Sequence, residues 1–169
     1  MQVLREQLTR VAGHDTHTLL TGEPGSGREA CARYLASLSD RADAPFVALK
    51  AGGRDDDKAV SLLGDDRGPG ALERAAAGVL FISEITDMPA DAQRELLAVL
   101  EQGRFRPGEG AEQQDLNVRM LSSAPPDFEQ AADGFRRELL FHLSVVVVRV
   151  PPLRDYLEDV PELLRCKVD

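Results

Sequence analysis

The sequence predicts an α/β fold: a mostly parallel sheet covered by helices on both faces. Two observations carry the prediction. Five β-rich segments, at 16–21, 46–50, 79–83, 117–124 and 145–150, alternate with stretches of helical periodicity. That alternation is how parallel strands joined by helical crossovers read in a sequence. Several of the segments, FVALK and VLFIS among them, are almost continuously apolar, as strands buried on both faces are. The 169 residues fit one domain. A hydrophobic content of 43% supplies a core, and 29% charged residues keep the chain outside the disordered class.

The elements follow in order. Leu4, Leu8 and Val11 recur at helical spacing, so 2–12 reads as an amphipathic helix. Thr16–Thr21 is a buried strand ending at glycines, and Glu29–Leu38 is the next helix. Pro45 opens the strand Phe46–Lys50. The segment 51–58, with its run Asp55–Asp57, reads as a solvated loop. Val60–Leu63 is a helical turn, 64–70 (GDDRGPG) a loop, and Ala71–Ala77 helical by composition. Val79–Ser83 is the third strand. Pro89–Gln102 is a helix with Leu96, Leu97 and Leu100 on its apolar face and Gly103 as its stop. A hairpin or surface loop over 103–116 leads to the strand Asn117–Ala124. Helix Phe128–Phe141 breaks near Gly134, and the strand Val145–Val150 is stopped by Pro151 and Pro152. Another helix begins at Glu158–Cys166.

Composition excludes several functions. Acidic residues outnumber basic ones, 29 to 20, for a net charge of -9, which suits a protein poorly to wrapping a phosphate backbone. Aromatics are 5% of the chain and Trp is absent, which argues against base-stacking platforms. No apolar run approaches the ~18 residues of a membrane span, and the charged N-terminus is not a secretory signal. A cytoplasmic location is the expectation, with Cys31 and Cys166 as free thiols. The three His at 14, 17 and 142 show no metal spacing, so no metal ligands are predicted.

Residues 22–29, GEPGSGRE, lie between a strand and a helix, the context of a phosphate-binding loop. Gly22, Gly25 and Gly27 let the backbone turn its N–H groups inward, and the helix N-terminus adds a positive dipole end. The candidate nucleotide ligands are therefore Gly22, Glu23, Pro24, Gly25, Ser26, Gly27, Arg28 and Glu29. Arg28 stands where such loops carry Lys, and a planar fork does not replace a compact ammonium. The strand VLFI runs into Ser83 and Glu84, where a Walker B strand would place a metal-holding Asp. Ser83 supplies a neutral hydroxyl, too little for a hard dication. Glu84 has the chemistry of a general base, idle without correctly held metal and nucleotide.

Taken in order, MQVLREQLTRVAGHD, LLTGEPGSGRE, PFVALK, GVLFISEITDMPADAQRELLAVLEQGRFRPGEG, VRMLSSAP and GFRRELLFHLSVVVVRVPPLRDYLEDVPEL resemble the sigma-54-interacting AAA+ domain of NtrC-type bacterial transcription activators. The resemblance implies an AAA+ P-loop NTPase-like domain with a five-stranded sheet over 1–155. Over 156–169 it implies the truncated start of a small helical lid. It makes Glu29 an ordinary residue at its position. Against the family pattern, Lys is replaced by Arg28, the Walker B Asp by Ser83 and the strand-end Asn by Lys50. The sensor Thr-Asn is replaced by Ala124 and Pro125, and the second finger Arg by His142, while Arg136 remains as a candidate arginine finger. The GAFTGA loop that touches sigma-54 is missing, as in NtrX-like regulators. Asp65–Gly70 occupy the interval, and six residues reach at most ~20 Å end to end, less than half that as an out-and-back loop.

These departures imply a central domain of a response-regulator-type transcription factor that binds ATP or ADP weakly, makes little use of Mg²⁺ and does not hydrolyse. Glu84 is vestigial in this reading. Self-association is the expected partner mode, with no sigma-54 contact, no membrane, and DNA met through a domain outside these residues. The alternative is a working ATPase that tolerates Arg28 and Ser83 and activates sigma-54 RNA polymerase. A variant of the first reading leaves the pocket empty.

Overall fold

The structure, a computed structural model, describes residues 2–52, 62–65, 68–107, 110–131 and 134–159. Five strands make the central sheet: β1 (Thr18–Thr21), β2 (Phe46–Lys50), β5 (Val79–Ser83), β8 (Arg119–Ala124) and β9 (Val146–Arg149). They are parallel throughout and ordered β2-β5-β8-β1-β9. Two small antiparallel hairpins stand outside it: β3 (Gly64–Asp65) with β4 (Gly68–Pro69), and β6 (Arg104–Phe105) with β7 (Gln114–Asp115). The helices are α1 (Gln2–Ala12), α2 (Arg28–Ser37), α3 (Ala71–Arg74), α4 (Ala90–Gln102), α5 (Phe128–Ala131) and α6 (Arg137–Leu143).

Successive strand residues point to opposite faces, and each face has its own core. Leu19, Leu80, Ile82 and Met120 pack with Leu72 of α3, Leu96 and Val99 of α4, and Leu139 and Leu143 of α6. Leu20, Val79, Phe81, Leu121 and Val148 pack on the other side with Leu4 and Leu8 of α1 and Cys31, Ala32 and Leu35 of α2. Each fully buried Leu contributes about 1.5–3 kcal/mol. Burial pushes the Cys31 thiol up to about 11, so at neutral pH it is an inert core residue. The expected parallel, doubly covered sheet is the one found.

Several boundaries differ from the sequence reading; the fourth strand begins at Arg119 rather than Asn117, and the fifth spans Val146–Arg149. The segment 64–70 is not all loop, because β3 and β4 pair across 66–67. The helix at 71–77 stops at Arg74. Ala77 turns to φ +60 and donates its N–H to Asn117 O at 2.8 Å, aiming the chain into β5. Helix 128–141 is two helices, with Gly134 at φ +88 in the connection, and the second runs on to Leu143. The first strand begins at Thr18, because His17 Nδ1 takes the Met120 N–H at 3.2 Å in place of a backbone rung. Half of the helical turn read at 60–63 lies outside the described residues, and 62–63 form a bend rather than a helix. Most of the helix read at 158–166, and so most of the lid, lies outside the described residues. Leu153–Asp159 forms a 3₁₀ stretch kinked at Tyr156, whose hydroxyl donates to Pro151 O at 2.7 Å.

The amino ends of the strands are tied by a polar cluster. Arg119 is 2% exposed and donates to the carbonyls of Val11, Ala12 and Thr16 at 3.0, 3.3 and 3.2 Å, capping the C-terminal end of α1. Arg41 pairs with both oxygens of Asp15 at 3.0 and 2.6 Å, and the hydrogen bond from Arg41 holds that carboxyl below its usual range. Burial is the main cause that lowers the pKa of His17, with Asp15 opposing it and His142 and Arg119 adding to it. Its bond to Met120 needs a neutral ring. A depressed folded pKa means stability that is complete above the unfolded value, about 6.5, and lost as pH falls below it. Urea midpoints are expected to drop between pH 7 and pH 5, and to drop less in His17→Asn, whose amide oxygen accepts the same bond without titrating.

Candidate nucleotide-binding site

The glycine loop leaves the carboxyl end of β1, the end of a parallel sheet where ligands bind. Gly22 donates its N–H to Ala124 O at 3.2 Å. A side chain on Gly22 would meet Val150 O at 2.6 Å, so the loop must pass bare under the end of β9. Ser26 N–H closes a turn on Glu23 O at 3.1 Å. Gly25 at φ +82 and Gly27 at φ +89 adopt the left-handed backbone that side chains resist. Residue 28 then opens α2, whose first N–H groups have no partner within the helix. Ser26 Oγ is buried and unpartnered. A nest of N–H groups, a helix N-terminus and an orphaned hydroxyl together fit phosphate oxygens.

The charged residues tell a different story. Arg28 is 8% exposed and its two terminal nitrogens engage the two carboxylate oxygens of Glu84, one contact measuring 3.3 Å. This is a fork-on-carboxylate pair, the strongest form of the interaction. Glu84 itself sits at φ +52, ψ +55, and its backbone N–H is held by Ser123 Oγ at 3.2 Å. Ser83 turns its hydroxyl to Leu49 O at 3.4 Å. Its register partner Lys50 is exposed. The donor set does not fit Mg²⁺. Among the described residues, the Glu84 carboxylate is occupied by a guanidinium, and the Ser83 hydroxyl beside it is neutral and directed at β2.

Glu23 is clasped by Arg154, two bonds of 2.7 Å each, so the segment after β9 reaches across the loop. Both groups are largely exposed, and such a pair contributes little to stability. Glu29 pairs along its helix with Arg33 at 2.8 Å, and both side chains are exposed. Pro24 is exposed at the turn. Arg136 is exposed at the start of α6, its N–H bound to Gln93 Oε1 at 2.9 Å. His142 lies on the same helix, edge-on to Phe141.

Arg28 and Glu84 are 56 residues apart, and no spacing rule links them. Arg154 and Ser123 escaped the sequence reading for the same reason. Arg154 had a local signal in its PPLR block, but Ser123 had none. A cavity of about 290 Å³ opens at the opposite, amino end of the sheet, lined by Asp15, Asp40, Arg41, Asn117 and Arg119 among others. Its guanidinium groups are engaged by Asp15 and by carbonyls, so it reads as the inside of the structural polar cluster.

Comparison with known proteins agrees with this architecture. The family described as the Sigma-54 interaction domain matches residues 1–149. The transcriptional regulator NtrC of Rhizobium meliloti is 37% identical, over 98% of this chain and 37% of its own length. The nitrogen assimilation regulatory protein NtrX of Azorhizobium caulinodans is 37% identical, over 100% of this chain and 39% of its own. The crystal structure of NtrX from Brucella abortus in complex with ATP superposes with a TM-score of 0.86 at 36% identity, covering 98% of this chain and 40% of that one. The chain thus spans about two fifths of the length of the regulators it matches. With a parallel P-loop sheet in the observed strand order and a match over almost the whole length, the chain belongs to the Sigma-54 interaction domain family.

Proposed function

We propose that this domain is a nucleotide-binding regulatory module of a bacterial transcriptional regulator, and that it does not hydrolyse ATP. The observation that carries the reading is the Arg28–Glu84 pair. A hydrolysing site needs a cation free to meet the terminal phosphates and a carboxylate free to polarise water. Here each neutralises the other. The glycine loop and the N-terminus of α2 remain as a phosphate cradle, and NtrX of Brucella abortus, similar over the whole domain, is crystallised with ATP. Gly22 through Glu29 form the nucleotide segment in this reading, with Glu84 vestigial. Arg136 is the residue assigned to reach a neighbouring subunit.

The test is phosphate release at saturating ATP and Mg²⁺. No release above background is expected, because groups that stabilise transition-state charge are commonly worth ~10² to 10⁵ in rate and several are altered together. Turnover of about 1 per second, ordinary for a working enzyme, overturns the reading in favour of an active ATPase.

The wider role follows the same line. The interval that would project toward sigma-54 holds the short β3–β4 hairpin, so the module acts by self-association in the cytoplasm rather than by contacting sigma-54. DNA recognition belongs to a part of the regulator outside these residues. A stable complex with sigma-54 on gel filtration, in any nucleotide state, contradicts this.

A further inference from the structure

We propose that the site selects nucleoside diphosphates over triphosphates, with the Glu84 carboxylate standing in for the terminal phosphate on Arg28. The inference rests on the nucleotide reading above and goes beyond it by naming the ligand class and the residue that sets it.

In a phosphate-binding loop the basic residue that opens the helix reaches the β- and γ-phosphates. Arg28 opens α2, and both of its terminal nitrogens are taken by the two oxygens of Glu84. A carboxylate and a phosphate present the same edge to a guanidinium fork, two oxygens for two parallel N–H groups. A third phosphate therefore arrives at a cation already neutralised. It must either displace Glu84 or settle beside it.

Displacement is opposed by the way Glu84 is held. Its backbone is turned to φ +52, and its N–H is fixed by Ser123 Oγ at 3.2 Å. Freeing the carboxylate also strips a partner from a pair in which Arg28 is 8% exposed and Glu84 29%. Cohabitation sets two anions side by side in a partly desolvated site, where repulsion is several-fold stronger than in water. No metal relieves it, since Ser83 offers a hydroxyl directed at Leu49 O. A diphosphate meets less of this opposition. Its β-phosphate also finds Arg28 engaged, but the backbone of the loop cradles that phosphate directly, with the N–H groups around Gly25 and Gly27, the start of α2 and the unpartnered Ser26 Oγ to serve its oxygens, whereas a γ-phosphate depends on Arg28.

The experiment is calorimetric titration of the chain with ADP and with ATP, in EDTA and again with MgCl₂. ADP is expected to bind at least about tenfold more tightly than ATP in EDTA, a factor equivalent to one repulsive contact of about 1.4 kcal/mol. Added Mg²⁺ is expected to change that ratio little. Glu84→Gln keeps the shape and removes the charge, and should bring the ratio to about threefold or less. Arg28→Lys, whose compact ammonium cannot hold both oxygens, should narrow it as well. Circular dichroism checks that each variant is folded. Equal affinities in the wild-type chain, or a gap that persists in a folded variant of either kind, overturns the inference while leaving nucleotide binding intact. If neither nucleotide binds the wild-type chain, the nucleotide reading itself fails and takes this inference with it.

Discussion

Gly78→Ala is expected to cost the fold about 3 kcal/mol or more, at the upper end of what overpacking does. Gly78 precedes β5 at the point where the chain passes under Pro45. A Cβ there would lie 2.1 Å from Pro45 O and 2.9 Å from Pro45 N. These are backbone atoms and cannot rotate aside. Nor can the strand move off, because Pro45 O accepts the Val79 N–H at 2.9 Å and that bond begins the β2–β5 pairing. Gly78 O in turn accepts the Arg119 N–H at 3.0 Å, beginning the pairing with β8. One added methyl thus pushes on both neighbours of β5. Gly13→Ala is the control: its nearest contact would be 3.8 Å, to Arg10 O. Chemical denaturation should separate the two by at least ~3 kcal/mol, with Gly13→Ala near wild type. A Gly78→Ala chain as stable as wild type would mean that β2 and β5 do not approach as described.

Arg119→Met is expected to be comparably damaging, at about 3–5 kcal/mol, the range for breaking a buried ionic or hydrogen-bonded group on one side. The guanidinium is 2% exposed and serves three carbonyls, two of them at the end of α1. Met fills much of the volume but donates nothing, and a buried carbonyl left without a partner costs about 1–3 kcal/mol. Desolvation lowers the Arg119 pKa, while Asp15 raises it. An arginine stays charged under such influences where a lysine would not, so Arg119→Lys is expected to fall between Met and wild type. Loss of helix signal on heating should begin earlier in Arg119→Met, since α1 loses its cap. Unchanged stability would show that water serves those carbonyls as well as Arg119 does.

Most of the fold was legible in the sequence, for local reasons. FVALK and VLFIS became β2 and β5 residue for residue, because buried parallel strands are apolar throughout and Pro45 and Gly78 mark their starts. The errors came where a side chain or a distant carbonyl took over a backbone role. His17 replaced a rung of the sheet, and Asn117 O drew Ala77 out of its helix. The hairpin at 64–69 hid behind residues that read as turn. The glycine loop was legible because its chemistry is written in consecutive residues. What the site does with its charges was not. The sequence alone leaves Glu84 idle for want of a metal, whereas the structure engages it directly with Arg28. That pairing depends on how two crossovers place β1 and β5 either side of β8.

The strand order also governs when the protein can begin to fold. β1 pairs with β8 and β9, and Thr18 meets Leu121 and Val146. A ribosome adding about 5–20 residues per second leaves β1 without either neighbour for roughly 5–20 seconds. During that interval β2 and β5, whose partners are closer in the chain, can already join. Leu19 and Leu20, fully buried in the finished sheet, are exposed meanwhile on a strand with no neighbour, the state in which nascent chains draw chaperones or aggregate. Closing a sheet through contacts this distant is intrinsically slow. The nucleotide loop, attached to β1 and bonded through Gly22 N–H to Ala124 O, therefore has no fixed place before β8 has been made.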